Sequence, residues 1–556
     1  MERYDYIVVG GGSAGCVTAS RLVREFAARV LLLEAGPADD HRLIDMPAGF
    51  VKLLFRPNPF VTIYRSEPQP SLDGRHVEIM QGHVLGGGSS VNAMTYTRGV
   101  PSDYARWNEA GDTGWNWEAL LPYFKKHEGN QRLNSPEHGI GGPLKVSDAH
   151  HPICDASRAF LHTLQQLGVP YVSDVNGGSQ EGVSLVQSTT YKGKRCSAAR
   201  AFVHPVRSDP RLALKCNARA AQILFEGNRA VGVEYAEDSG SATRTAYANN
   251  EIILTAGAYA SPKLLMLSGI GPAQDLSRLG VDVKVNLPDV GRNMQDHNSV
   301  ALVARTTGAY GYSGEDRGIR MLANGLQYLL FGSGPVSSTS SEVMAFVKSD
   351  QTIEEADLQL YCAPVMIPTS LLPPQEGHGI TLIANLVAPK SRGGMRLRSS
   401  DPALPPLIEP NYFGDLADLK ALVRGLRYLH MLTETSPLSG MIERVLGPDE
   451  NLNSDAELGN YCKAVTTTNF HPVGSCRMGP EGDEAAVLTP DLRVRGIDNL
   501  RVFDASMMPS IISANTNAPV MAIADRAVDL MMKAGSLGAS TDERRPRGRA
   551  QARSGS

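Results

Sequence analysis

The chain has 556 residues, of which 42% are hydrophobic and 20% charged, and its formal net charge is −4. That length exceeds one ordinary core, so two or more domains are expected, or one large domain with insertions. The slight acidity gives no basic field for a nucleic-acid backbone, and seven scattered cysteines without a CxxC spacing argue against a disulfide framework or a zinc site and fit a reducing compartment.

The N-terminus, "MERYDYIVVGGG", has no long apolar run of a cleaved signal, and no stretch reaches the roughly 18 apolar residues of a spanning helix. A soluble cytoplasmic protein is expected, with peripheral membrane contact as the alternative. "YDYIVVGGGSAGC" predicts a strand followed by Gly10-x-Gly12-x-x-Gly15, then a helix with Val17, Leu22 and Val23 on one face. A second apolar run ends in Glu34, nineteen residues past Gly15. Gly10 permits a tight turn, Gly12 lets the backbone approach a pyrophosphate, and Gly15 lets helix and strand pack closely. The helix N-terminus (Ser13, Ala14) offers free N–H groups, and the acid can accept from a ribose. The same stretch also matches G-x-S-x-G, with Ser13 as a hydrolase nucleophile, but such an elbow follows several strands and would leave Glu34 unexplained.

"GHVLGGGSSVNAMTYTRG" (82–99) is a second glycine-serine loop. "NEIILTAGAYASPKLLMLSGIGP" predicts a strand, a turn and a helix beginning near Ser261-Pro262, since proline suits a first helical turn. Between about 300 and 460 the pattern changes to strand-like pieces such as "DLQLYCAPVM" and "GITLIANLVAP", with a helix around "DLKALVRGLRYLHML": an antiparallel sheet with helices. The segment "LPDVGRNMQDH" reads as turn-rich. The chain closes with "LRVFDAS", a helix beginning near Ala518-Pro519, and a polar tail from 536 to 556 read as disordered.

"TTTNFHPVGSCRMG" places His471 among threonines and glycines with no second histidine or acid near it in sequence. Together with the Gly10–Glu34 unit, "GGGSSVNAMTYTRG", "GAYASPKLLMLSGIGP" and "DASMMPSIISANTNAP", it resembles the glucose–methanol–choline (GMC) oxidoreductases from Tyr4 to about Lys533, in look nearest the bacterial acceptor-dependent alcohol dehydrogenases. The resemblance implies an α/β plus α+β fold. A Rossmann-like FAD-binding domain would be assembled from residues 1–155, 196–300 and 461–535. A substrate domain on an antiparallel sheet covered by helices would come from 156–195 and 301–460.

The resemblance also implies FAD as cofactor and oxidation of an alcohol CH–OH group. His471 is then the general base, because an alcohol carbon releases hydride poorly while its oxygen keeps its proton. Asn517 takes the position of its hydrogen-bonding partner. Val84, Gly87, Val91, Asn92, Ala93, Met94 and Thr95 would line the flavin. Ala220 would contact adenine through its backbone, Asp504 and Ala505 the ribityl-phosphate part, and Pro519 would open the last helix beside the ring. Members that bind FAD covalently carry a histidine where this chain has Val91, so FAD is expected to be non-covalent. His83 is expected on the surface. Glu342 lies where choline-oxidising relatives place an acid, but Ser and Thr surround it instead of the aromatic faces a cation wants. The expected substrate is a small-molecule primary alcohol. An oxidase of aromatic or heteroaromatic methanols and a choline dehydrogenase-like activity are the alternatives, and a hydroxynitrile lyase is a further one. Oxygen and a quinone- or dye-like acceptor both stay open.

Overall fold

The computed structural model describes residues 2–149, 151–237, 243–449 and 451–542, with side chains described up to residue 534. Two sheets of seven strands each organise these residues. The first grows from continuous apolar runs, the pattern of strands buried on both faces. Ile7, Val8 and Val9 of Glu2–Val9 are buried, as is all of Val30–Leu33, and the two strands pair in parallel from Tyr6↔Val30 to Val9↔Leu33. Leu212–Lys215, Thr243–Leu254 and Leu500–Val502 extend the parallel part. Ala218–Glu226 and Arg229–Glu237 add an antiparallel edge.

The crossover helix Ser13–Phe26 buries Val17, Leu22 and Val23. The closing helix Asn517–Asp542 packs along it, tied by Arg21, whose guanidinium contacts the buried Asp525 and, at 2.8 Å, Asp529. This closing helix extends to Asp542, into the stretch expected to be a disordered tail; positions 543–556 lie outside the described residues.

The second sheet is antiparallel throughout, in the order Ile442–Gly447, Asn298–Thr306, Gly379–Leu386, Leu358–Ala363, Val343–Val347, Gly182–Leu185. Thr467–Thr468 also pairs with Asn298–Thr306, which puts the start of the His471 segment on the edge of this sheet. One face buries Leu302, Leu360 and Leu382 under the helix Leu416–Glu434, through Leu422, Leu426 and Leu429. The other face turns Gln359 and Tyr361 toward Asn515.

Two local expectations are corrected. The helix expected from Ser261-Pro262 starts earlier, at Gly257, so Pro262 lies inside it. Proline in a helix leaves the carbonyl four residues back without its N–H donor; here that carbonyl, on Ala258, accepts from Ser475 Oγ at 2.5 Å. The region from 300 to 460 also holds a helix not foreseen, Gly318–Phe331.

Candidate active site

Two glycine loops meet edge to edge. A Cβ on Gly87, where φ is +52°, would stand 2.8 Å from Gly12 Cα, so a side chain here would strain the turn and push the loops apart. Gly15 shows the close helix–strand contact, since its Cβ would lie 1.9 Å from Gly10 O. Beside these loops runs a cleft of about 490 Å³ lined by Gly10, Gly12, Ser13, Ala14, Glu34, Gly87, Ala220, Asp504 and Ala505. His83, expected on the surface, is partly buried and lines it too.

The first helix has no side-chain cap and no acid in its first turn, which leaves its leading N–H groups and positive end facing the cleft. Glu34 is buried, accepts from the N–H groups of Gly11 (2.8 Å) and Gly36 (2.7 Å), and is pushed up to about 7 by desolvation. The free helix end, the small-residue cradle and the acid suit a dinucleotide. Asp504 lines the cleft, but its carboxylate caps the start of the Gly257 helix, accepting from Gly257 N and Ser261 Oγ. Ser13 Oγ donates to Asn517 Oδ1 at 2.8 Å, so its partner is an amide with no basicity to activate a nucleophile.

The second glycine loop continues as Gly88–Val91, where Val84 and Val91 pack with Ile44 and Leu53. Asn92 is held by the buried Arg195, whose Nη1 donates to Asn92 O and Oδ1, each at 2.8 Å, and to Ser89 O. Burial lowers the pKa of Arg195 to about 9, with the Asp45 carboxylate offsetting this only in part. Ala93 is half-buried, Met94 is buried with φ +63°, and Thr95 bridges to Ser188.

His471 is solitary in sequence but not in space. Its segment is pinned to residues 295–297 by Asn469 N to His297 O (2.8 Å), His471 N to Asp296 Oδ1 (2.8 Å) and Val473 N to Gln295 O (2.9 Å). Asp296 also accepts from Thr468 and Tyr412, and burial raises it to about 6. His297 Nδ1 stands 3.0 Å from His471 Nδ1, with the two rings perpendicular. The His471 ring is only partly exposed, and burial lowers its pKa to about 4; burial pushes His297 well down too.

The expected pairing of His471 with Asn517 is not formed. Asn517 is the first residue of the closing helix and points to Ser13. Asn515, two residues earlier in the irregular stretch before the helix, faces His471 instead, Nδ2 to Nε2 at 3.4 Å. The amide orientation follows from its other partners. Thr97 Oγ1 (3.1 Å), Gln359 Nε2 (3.3 Å) and Tyr361 OH (3.4 Å) all surround Asn515 Oδ1, so the oxygen accepts there and the NH₂ turns to the imidazole. Pro519 is buried in the first turn of the same helix.

Glu342 is buried. Its carboxylate accepts from Cys154 N (2.9 Å), Ser338 Oγ (3.2 Å) and Tyr312 OH, with His151 Nε2 at 3.6 Å.

A cleft suited to a dinucleotide, in a fold that also pairs a partly buried histidine with an amide, points to a nucleotide-dependent oxidoreductase. Residues 4–299 and 389–524 match the N- and C-terminal family models of the GMC oxidoreductases. The chain is 39% identical to human mitochondrial choline dehydrogenase over 543 residues, covering 95% of this chain and 90% of that one. It is 38% identical to an acceptor-dependent alcohol dehydrogenase of Pseudomonas putida over 535 residues, covering 95% and 96%. The crystal structure of pyridoxine 4-oxidase from Mesorbium loti superposes with a TM-score of 0.85 at 31% identity, covering 96% of this chain and 99% of that one. The chain belongs to the GMC oxidoreductase family and is an FAD-dependent alcohol oxidoreductase.

Proposed function

We propose that the protein oxidises an uncharged primary alcohol to the aldehyde, with His471 as general base and Asn515 orienting the substrate oxygen. FAD, held without a covalent bond by the Gly10–Gly15 turn, Glu34 and the loop of Gly87 and Asn92, supplies the hydride acceptor. The reading rests on one observation, a directed run of hydrogen bonds. Donors from Thr97, Gln359 and Tyr361 reach Asn515 Oδ1, and Asn515 Nδ2 donates toward His471 Nε2. His471 Nδ1–H then donates to His297 Nδ1, at 3.0 Å against 3.5 Å for the competing Asn469 amide. In that tautomer Nε2 carries the lone pair, and a substrate hydroxyl that takes the place of the Asn515 amide there gives it its proton as the carbon gives up hydride. Burial keeps the imidazole neutral, and the Asn515 amide can follow the oxygen as negative charge develops on it.

Choline is disfavoured because the Glu342 carboxylate, the acid that would face its cation, already accepts from Cys154, Ser338 and Tyr312. The test is the anaerobic visible spectrum of the FAD-loaded protein against a panel of primary alcohols that includes choline. Bleaching of the flavin band by an uncharged alcohol is expected. Bleaching by choline alone would overturn the substrate class, and a band that no alcohol bleaches would overturn the reaction.

A further inference from the structure

The helix Gly318–Phe331, "GIRMLANGLQYLLF", is built inside out. Along the stripe i, i+3, i+7, i+10, i+11 lie Ile319, Leu322, Leu326, Leu329 and Leu330, exposed by 83, 68, 58, 79 and 65%, and Phe331 follows at 75%. No residue of this helix is buried. Its more covered side is the polar one, where Asn324 bonds Glu315 and Tyr328 lies in electrostatic reach of Asp45 and Arg200. A surface helix of a self-contained fold turns its apolar stripe inward; this one presents it outward.

The surroundings name the occupant. The segment after the helix ties to the neighbouring helix Gly49–Phe55 through Ala48 N to Val336 O (3.1 Å), and its C-terminal Gly332 abuts the tight turn at Gly193. These neighbours add the exposed apolar Val51, Phe55 and Tyr191. They also carry Lys52, Arg56, Lys192 and Lys194, none of them in an ion pair among the described residues. Of the nearby acids, Asp45 and Glu315 are matched by Arg200 and Arg320, and the exposed Asp316 has the basic Arg317 next to it in the chain. An apolar ridge with an unneutralised basic rim fits a bilayer of anionic phospholipid. A second copy docked through the same face would set this rim against its own image. At 14 residues the helix is about 21 Å long, short of the roughly 30 Å hydrocarbon core, so it lies in the interface and does not span it.

We propose that Gly318–Phe331, with the basic rim of Gly49–Phe55 and the Lys192–Lys194 turn, is a monotopic docking surface for anionic membranes. The docked face backs onto the active-site loop, because Leu53, on the inner side of Gly49–Phe55, packs against Val84 and Val91.

The test is co-sedimentation of the FAD-loaded full chain with vesicles of phosphatidylcholine alone or mixed with phosphatidylglycerol, beside its elution on gel filtration. Binding to the mixed vesicles is expected, weaker on neutral vesicles and in high salt. Leu326→Glu/Leu329→Glu should cut the bound fraction at least about tenfold, while flavin content and alcohol turnover in solution stay as in the parent. Lys52→Glu/Arg56→Glu should lose the preference for phosphatidylglycerol. Failure of the parent to bind either vesicle, or binding unchanged in Leu326→Glu/Leu329→Glu, would overturn the proposal. So would a dimer of the parent that this variant dissolves, since that would assign the ridge to a second copy.

Discussion

His297 Nδ1 lies 3.0 Å from His471 Nδ1, a buried and a partly buried imidazole joined edge to face although 174 positions separate them in the chain. Only one of the two nitrogens can carry the proton between them. The Asn515 amide turns its NH₂ to His471 Nε2, which makes that nitrogen an acceptor and leaves the His471 proton on Nδ1. His297 Nδ1 is then the acceptor, and His471 holds its own proton on Nδ1, away from the substrate. His297 is thus a positioning residue that sets the tautomer of the base. His297→Phe should lower kcat about 10- to 100-fold with KM changed far less and with flavin content intact. Unchanged kcat in the flavin-loaded variant would remove the tautomer argument.

The two asparagines of "ANTNAP" should separate by phenotype. Asn515→Ala should lower kcat/KM by roughly 10- to 100-fold while FAD stays bound, because it takes away the donor facing His471 Nε2. Asn517→Ala removes the acceptor of Ser13 at the junction of two helix N-termini, so it should lower the flavin-to-protein ratio and leave kcat per bound flavin nearly unchanged. The reverse pattern would return Asn517 to the role first expected of it.

The pH profile follows from burial. The folded-state pKa of His471 is about 4, below the ordinary 6.5, so the base is neutral across the physiological range and gains a proton only as pH falls toward 4. The acid limb of kcat/KM should therefore lie well below pH 6.5. A limb at or above 6.5 that disappears in His471→Ala would show the base in a wetter setting than this fold gives it.

Gly87 tests the loop contact. Alanine there would place its Cβ 2.8 Å from Gly12 Cα at a φ of +52°. Gly87→Ala should purify with less bound FAD than the parent and regain less on adding FAD, read from the flavin absorbance. Normal flavin content would mean the two loops have slack.

How much of this was legible depended on range. The Gly10–Glu34 unit is local: strand, turn, helix and second strand follow one another, so spacing alone places the turn and the acid. The partners of His471 are not local. Asp296 and His297 sit in "GRNMQDH", which reads as a turn, and only the pairing of Asn298–Thr306 with Thr467–Thr468 brings them under the imidazole. The confusion of Asn517 with Asn515 has a similar cause. The stretch before the closing helix is irregular, with no period to tell which amide points to the base and which to Ser13. The helix Gly318–Phe331 has the periodicity of a core-facing helix, and nothing in its pattern says that the stripe faces outward.

The most direct test of the account is the rate of flavin bleaching by a primary alcohol in anaerobic rapid mixing, compared between the parent and His471→Ala at equal flavin content. The account predicts a fall of at least about a hundredfold in that rate with the flavin still bound. A variant that bleaches as fast as the parent would contradict it, and would leave the hydroxyl proton to a group other than His471.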